Sequence, residues 1–165
     1  LSDQVWLIAA GAVIAAAFAA FLPWNLGRGS VFMGDVGSYL LGSAIAGTAV
    51  AAFLAGVYIE YLLFPILIYL LDAFTTLVRR IWRGERWYAA HRQHVYQRLT
   101  DEGFSHVQSA SLVTLCTVLI GVTGLVTGGS GWGVTAAGTV FVTAVAGLYL
   151  ASPRIAARLR QRARA

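Results

Sequence analysis

Long stretches without a charged side chain dominate this sequence and limit what the chain can fold into. Charged residues make up 12% of the 165 residues and hydrophobic residues 58%, whereas soluble domains carry about 25% charged residues. A single cysteine, Cys116, leaves no intramolecular disulfide to form. This composition excludes an ordinary cytosolic globule, a disordered tail and a disulfide-rich secreted module. We therefore predict an all-α fold, a polytopic bundle of transmembrane helices.

Five membrane spans follow from the uncharged stretches, because a helix needs about 20 apolar residues to cross the hydrocarbon core. The last uncharged stretch, residues 107–153, is too long for one crossing, and the sequence Gly128-Gly129-Ser130-Gly131 divides it into two. We treat the whole chain as one transmembrane domain. The predicted spans are about residues 5–22, 38–57, 61–78, 109–127 and 133–151.

The arginines predict the orientation of these spans. All 12 basic residues other than histidine are arginine, and with five spans every one of them falls on the same side of the membrane. That side receives loops 23–37 and 79–107 and the basic tail 152–165, and the positive-inside rule makes it cytoplasmic. We expect the tail to lie near anionic membrane lipids. Nucleic acid is not an expected partner, because orientation accounts for the arginines and no soluble basic domain exists.

Small residues are concentrated in the second and fifth predicted spans, where they include Gly42, Gly47, Gly138 and Ala144. Small side chains let helix backbones approach closely in a membrane. We therefore expect these two spans to pack against other helices.

The first cytoplasmic loop ends in Gly34-Asp35-Val36-Gly37-Ser38, at the start of the second span. Glycine permits positive φ and close approach of a ligand, and the N–H groups of a helix start favour phosphate. A carboxylate at that place repels phosphate unless a cation lies between them, and Mg²⁺ binds one or two carboxylates together with phosphate oxygens. Taken alone, this short motif favours a simpler interpretation, in which Asp35 caps the helix and is stabilised by its dipole.

The second cytoplasmic loop contains the sequence His91-Arg92-Gln93-His94. If this segment is helical, His91 and His94 share a face. Arginine offers a planar fork to phosphate oxygens, and histidine exchanges a proton near neutral pH. A phosphate-binding cluster therefore competes with a solvated interfacial loop, whereas zinc is not expected because no third ligand is near. Ser105 to Gln108 predicts a capping box that opens the fourth span.

Asp72 is the one charged residue inside a predicted span, about two turns from its cytoplasmic end. An ionisable group at that depth is costly and marks a candidate functional site. The competing interpretation is structural, with Asp72 as a partner of Arg79 or of a neighbouring hydroxyl such as Thr75 or Thr76. The sequence leaves these two interpretations evenly balanced.

Together these residues resemble the polyprenyl-phosphate N-acetylhexosamine-1-phosphate transferase superfamily, also called glycosyl transferase family 4. The order, spacing and common membrane side of the segments carry the resemblance. It is nearest to the members that initiate O-antigen or related polysaccharides, whose final loop also reads His-Arg-x-His. The matching segments are 21–25, 31–38, 65, 72–77, 79–80, 83–86 and 91–98.

The resemblance implies transfer of an N-acetylhexosamine-1-phosphate from a UDP-sugar (a UDP-N-acetylhexosamine) to undecaprenyl phosphate, with release of UMP, in a bacterial inner (plasma) membrane. It implies that Asp35 takes part in the Mg²⁺ and catalytic site, with Mn²⁺ as an alternative ion. It also implies that Asn25, His91, Arg92 and His94 help to hold the nucleotide diphosphate. Such a reaction would start cell-surface polysaccharide synthesis, including lipopolysaccharide O-antigen and cell wall biogenesis.

Two departures from the family pattern accompany the match. The stretch 26–30 lacks the family's Pro- and Ala-containing sequence, and the match corresponds to the C-terminal half of a full enzyme, without its upstream aspartate pair. We therefore expect the chain alone to bind metal poorly and to be inactive. A non-catalytic membrane scaffold or transporter fragment is the alternative, and homodimer formation is left open.

Overall fold

The computed structural model describes residues 5–26, 31–86, 88 and 93–162, with the side chain of residue 26 excepted. Within these ranges the chain is helical and contains no strand, as the sequence predicts. The elements are α1 (Val5–Leu26), α2 (Gly34–Leu54), α3 (Ile59–Leu63), a 3₁₀ turn (Phe64–Ile66), α4 (Leu67–Trp82), α5 (Val95–Asp101), α6 (His106–Thr127) and α7 (Trp132–Arg162).

Five helical segments of the described chain are long and apolar enough to cross a membrane, which confirms the predicted number of spans. They are Val5–Asn25, Gly34–Leu54, Ile59–Trp82, His106–Thr127 and Trp132–Arg162. The chain divides into two compact units, Leu1–Val57 and Tyr58–Ala165.

The first unit contains α1 and α2, two helices whose large apolar side chains are mostly exposed. A helix that exposes apolar residues all round is built to lie in lipid or against further helices. A Cβ atom placed on Gly42 or Gly47 of α2 would meet no atom of the described residues within 4 Å. Within the described chain, the close packing expected at these two glycines is therefore not seen.

The second unit is built around one hydrophobic core, to which α4, α5, α6 and α7 all contribute. The short helix α5 is part of this core, because Val95 and Leu99 are only 3% and 1% exposed. These two residues are four positions apart, so they lie on the same face of the helix. The core residues are Ile68, Val95, Leu99, Val113, Cys116, Ile120, Val142, Ala146 and Tyr149.

The third span is interrupted near its start and is not one continuous helix. Pro65 lies in the 3₁₀ turn between α3 and α4, and proline lacks the N–H that a continuing helix requires. The α3 side of this break is held against the end of α6. The Tyr61 hydroxyl donates to the Gly128 carbonyl at 2.8 Å, and a Cβ atom on Gly128 would lie 2.5 Å from the Tyr61 ring.

The boundaries of α6 follow local sequence signals. The Ser105 hydroxyl accepts the Gln108 N–H at 3.1 Å, and the Gln108 side chain accepts the Ser105 N–H at 2.8 Å, which confirms the predicted capping box. α6 ends at Thr127, and α7 begins at Trp132 after the glycine-rich turn. That turn confirms the predicted division of the long uncharged stretch.

Helix α7 packs closely on α6 and extends well beyond the predicted fifth span. A Cβ atom on Gly138 would collide with Thr127 and lie 3.2 Å from the Thr123 methyl carbon, so the small residue permits the close approach expected of it. The helix continues through Pro153 to Arg162. Most of the basic tail is thus helical, because Ala, Leu, Arg and Gln are strong helix formers.

Candidate active site

The motif Gly34–Ser38 forms the first turn of α2. Gly34 has φ +66°, a conformation that costs glycine little. The missing side chain of Gly37 leaves room for Met33, since a Cβ atom there would collide with the Met33 side chain. The Ser38 hydroxyl donates to the Gly34 carbonyl at 2.8 Å. Three of the five motif residues thus have a structural role inside the turn.

Asp35 and Val36 are the two residues of this motif without such a role, and Asp35 is the polar one. The Asp35 side chain is exposed, and no hydrogen bond or ion pair engages it among the described residues. The N-cap of α2 is Met33, so Asp35 lies inside the first turn and the interpretation of Asp35 as the helix cap is wrong. The positive end of the helix dipole still stabilises a carboxylate in that turn.

Asn25, predicted to bind substrate, lies at the end of α1 and is half-buried. Its side-chain amide donates to the Val31 carbonyl at 3.2 Å, and the Val31 N–H donates to the Trp24 carbonyl at 3.1 Å. These two bonds join the residues on either side of segment 27–30. Asn25 therefore fixes the path by which the chain reaches α2 and the motif at residues 34–38.

Asp72 is 5% exposed and lies at the centre of a polar network in the second unit. Its carboxylate accepts the Val95 N–H at 3.0 and 3.2 Å, the Tyr149 hydroxyl at 3.2 Å and the Thr76 hydroxyl at 3.4 Å. Buried polar groups require such partners, because water cannot satisfy them. These contacts support the structural interpretation of Asp72, including the predicted hydroxyl partner Thr76.

His94 is held at the edge of this network. Its Nδ1 atom lies 3.6 Å from the Asp72 carboxylate, and its ring stacks on Tyr96 with the ring centroids 6.0 Å apart. Its backbone N–H donates to the Gln97 side chain at 3.2 Å. His94 is the extended N-cap of α5, which begins only at Val95. Helix α5 therefore does not extend back over His94, so the condition under which His91 and His94 would share a helix face is not met at His94. His91 and Arg92 lie outside the described residues.

The start of the same loop is fixed by Arg80, a buried residue two turns beyond Asp72 on α4. The Arg80 guanidinium donates to the Arg86 carbonyl, and its Nε atom lies 3.4 Å from the Glu85 carboxylate. Glu85 in turn accepts the Gln93 side-chain amide at 2.8 Å. Both ends of segment 86–93 are thereby attached to α4.

Sequence reasoning missed several of these residues. Tyr149 was not predicted to contribute, although it approaches Asp72 from a position 77 residues later. Arg80 belongs to a segment that carries the resemblance, but the resemblance does not distinguish it from the adjacent Arg79. The one weak sign that Arg80 is buried is its spacing of eight residues from Asp72, which places both residues on one side of α4.

The described residues contain no group of three or more His, Cys, Asp or Glu side chains that could hold a metal ion. Asp35 offers a single exposed carboxylate. That donor fits a Mg²⁺ ion held by one carboxylate with phosphate oxygens and water as its other ligands.

The five apolar helices of the described chain are those of a multi-pass membrane protein. The family model of glycosyl transferase family 4 matches residues 1–53, a range that includes Asn25 and Asp35. The chain is thus similar to that family over its first unit, in agreement with the resemblance that the sequence motifs carry.

Individual relatives extend the match beyond the first unit. The chain is 27% identical over 126 residues to a probable undecaprenyl-phosphate N-acetylglucosaminyl 1-phosphate transferase of Bacillus subtilis, an alignment covering 74% of the chain and 35% of that protein. It is 32% identical over 117 residues to a decaprenyl-phosphate N-acetylglucosaminephosphotransferase of Mycobacterium leprae. That alignment covers 62% of the chain and 29% of the relative. Because the alignment with the Bacillus subtilis protein covers 74% of the chain, it includes the central loop 79–107 wherever it begins.

A shorter match, 36% identical over 64 residues, relates the chain to a phospho-N-acetylmuramoyl-pentapeptide-transferase of Arthrobacter and covers 34% of the chain and 17% of that protein. The chain spans about a third of the length of the first two relatives. No solved structure shows a significant match to the chain.

Proposed function

We propose that this chain forms part of a membrane transferase that moves an N-acetylhexosamine-1-phosphate from a UDP-sugar to undecaprenyl phosphate and releases UMP. The relatives named above support a polyprenyl-phosphate acceptor and an aminosugar phosphate. The UDP donor, Mg²⁺ dependence and a role in initiating O-antigen or a related surface polysaccharide are carried by the motifs alone. The arginine distribution supports cytoplasmic loops in a bacterial inner membrane.

The observation that carries this proposal is the state of Asp35. Gly34, Gly37 and Ser38 build the first turn of α2, whereas Asp35 is exposed and has no partner among the described residues. A motif that the family model matches thus presents one carboxylate that no described residue engages. We propose that Asp35 is a Mg²⁺ ligand and takes part in catalysis.

Phosphoryl transfer depends on positioning and on neutralising charge more than on covalent chemistry by the protein. A bound Mg²⁺ ion would neutralise the diphosphate oxygens as charge develops on them. Asn25 places the segment before α2, so that the Asp35 carboxylate is presented at the helix start. In this proposal His91, Arg92 and His94 bind the nucleotide diphosphate, and Asp72 orients His94 by facing its Nδ1 atom.

The test replaces Asp35 by Asn in a longer protein that contains this sequence. The variant should lose transfer of sugar phosphate, measured as UMP release from the UDP-sugar, while membrane insertion and expression are unchanged. Asp101→Asn is the matched control, because Asp101 is also exposed and undergoes the same chemical change outside the motif. Activity retained in Asp35→Asn would instead favour a non-catalytic membrane scaffold or transporter fragment.

The 165-residue chain by itself supplies a second test. Because it spans about a third of its relatives, we propose that it is inactive alone and binds Mg²⁺ weakly. UMP release by the purified chain would contradict this part of the proposal.

A further inference from the structure

Four arginine side chains surround one cavity in the second unit, a feature that the proposed function does not use. The cavity has a volume of about 300 Å³ and is lined by Arg79, Arg83, Gln93, Arg98 and Arg154. We call it the arginine cavity. Its arginines come from α4, the residue following α4, α5 and α7, so the fold assembles them from positions up to 75 residues apart.

The charge of the arginine cavity is not balanced by its own lining. None of the five lining residues is acidic, and Arg79 experiences the positive charges of Arg98, Arg154 and Arg83. The Glu85 carboxylate touches the edge of this lining, where it accepts the Gln93 side-chain amide at 2.8 Å and lies 3.9 Å from a nitrogen of Arg83. Asp72 also acts on Arg79, but these two carboxylates do not offset four guanidinium groups. An anion in the cavity would relieve this mutual repulsion.

A second, apolar cavity of about 400 Å³ adjoins the arginine cavity and shares Arg79, Arg83 and Arg154 with it. We call it the apolar groove. Its remaining lining comes from one face of α4, where the side chains of Phe74 and Trp82 are 63% and 87% exposed. The remaining lining residues are Phe74, Thr75, Val78 and Trp82.

We propose that these adjoining cavities bind an anionic phospholipid of the cytoplasmic leaflet. Its phosphate lies among the guanidinium groups of the arginine cavity, and an acyl chain follows the apolar groove along α4. Arginine donates paired hydrogen bonds to phosphate oxygens, and basic pockets between membrane helices on the cytoplasmic side bind acidic lipid head groups. A groove that exposes Phe74 and Trp82 within a membrane span requires an apolar occupant, which a water-soluble phosphate does not supply.

This inference goes beyond the proposed transferase and does not rest on it. A lipid at this place would link α4, α5 and α7, because each of these helices contributes an arginine. It would therefore hold the second cytoplasmic loop against the last helix of the chain.

Native mass spectrometry of the full 165-residue chain tests the proposal directly. The chain is purified in a neutral detergent and titrated with phosphatidylglycerol and with phosphatidylcholine of the same acyl chains. We expect phosphatidylglycerol to bind at least about tenfold more tightly, because charge-assisted contacts with arginine discriminate strongly for the anion. Equal affinity for the two lipids would overturn the proposal.

A pair of double variants separates the cavity from the general charge of the tail. Arg79→Gln with Arg154→Gln should remove the preference for phosphatidylglycerol. Arg158→Gln with Arg162→Gln removes the same charge outside the cavity lining, and its binding should stay within about threefold of the unmodified chain, since only general surface attraction is lost. If both variants lose binding equally, the attraction is nonspecific and the proposal fails.

Two further variants change the site with little effect on folding, since one conserves the charge and the other alters an exposed side chain. Arg79→Lys with Arg154→Lys preserves the charge but removes the planar fork, so binding should be intermediate. Trp82→Ala alters an exposed side chain and should weaken binding of the long-chain lipid but not of glycerol phosphate. Unchanged lipid binding in Trp82→Ala would show that the apolar groove holds no chain and would overturn that part of the proposal.

Competing phosphates identify the source of the bound group. Glycerol phosphate, the head group without chains, should bind far more weakly than phosphatidylglycerol. If it binds as tightly, the cavity is a site for free phosphate. If undecaprenyl phosphate binds through the same arginines while phosphatidylglycerol does not, the occupant is a polyprenyl phosphate. Either result would overturn the assignment to a phospholipid.

Discussion

The carboxylate of Asp72 on α4 accepts the backbone N–H of Val95, the first residue of α5, at 3.0 Å. A charged residue within a membrane span thus helps to fix the point in loop 79–107 at which helix α5 begins. Tyr149 of α7 donates to the same carboxylate, so Asp72 connects three helices of the second unit. The loop is positioned by the membrane-embedded part of the protein.

Replacing Asp72 by Ala should lower the free energy of unfolding by about 3 kcal/mol, because the buried donors Val95 N–H and Tyr149 O–H lose their acceptor. Asp72→Asn keeps one acceptor oxygen and should cost clearly less. Denaturant unfolding in detergent measures the loss, and hydrogen exchange at Val95 should accelerate in Asp72→Ala. Protection of Val95 equal to that of the unmodified chain would contradict this role of Asp72.

Replacing Arg80 by Met should loosen the start of the second loop. Arg80 is buried and joins both Glu85 and the Arg86 carbonyl to α4, so its loss should raise the rate of proteolysis between residues 86 and 93 several-fold. Arg83→Gln is the control, because the Arg83 side chain is 62% exposed and its contact with Glu85 is long, at 3.9 Å. Exposed ion pairs contribute about 0–1 kcal/mol, and equal cleavage of both variants would refute the assignment.

Replacing Gly138 by Ala should destabilise the contact of α6 with α7 by about 1–3 kcal/mol, because the added methyl group overpacks a close helix contact. Gly147→Ala on the same helix meets nothing within 4 Å. That control should be neutral or stabilising by up to about 1 kcal/mol, since alanine is the better helix former. Unfolding in detergent measures both, and similar values for the two variants would argue against close packing at Gly138.

Replacing Ser105 by Ala should cost about 1 kcal/mol, the usual contribution of a helix N-cap. The hydroxyl of Ser105 accepts the Gln108 N–H, and alanine offers no acceptor. Ser105→Asp retains an acceptor and should restore most of the stability. Hydrogen exchange at the Gln108 amide measures fraying of the first turn of α6 and so distinguishes a local effect from a global loss of stability. An unaltered exchange rate in Ser105→Ala would contradict the role of Ser105 as the cap.

The sequence alone determined the features that depend on neighbours a few residues apart. Uncharged runs predicted five spans, Ser105 and Gln108 predicted the cap of α6, and the run of glycines predicted the turn before α7. The spans depend on hydrophobicity, the cap on residues within one turn of helix, and the turn on the backbone freedom of glycine. None of these signals needs a contact with a distant part of the chain. The motif around Asp35 was likewise visible, although the identity of the actual cap, Met33, was not.

Only the tertiary structure decided what the charged residues of the second unit do. The sequence left the role of Asp72 undecided between function and structure, because its partners Val95 and Tyr149 lie 23 and 77 residues away. Arg79 and Arg80 are adjacent, yet the helical rotation between them buries Arg80 and turns Arg79 toward the arginine cavity. Such placement depends on which helices pack against α4, and that is fixed by the core as a whole.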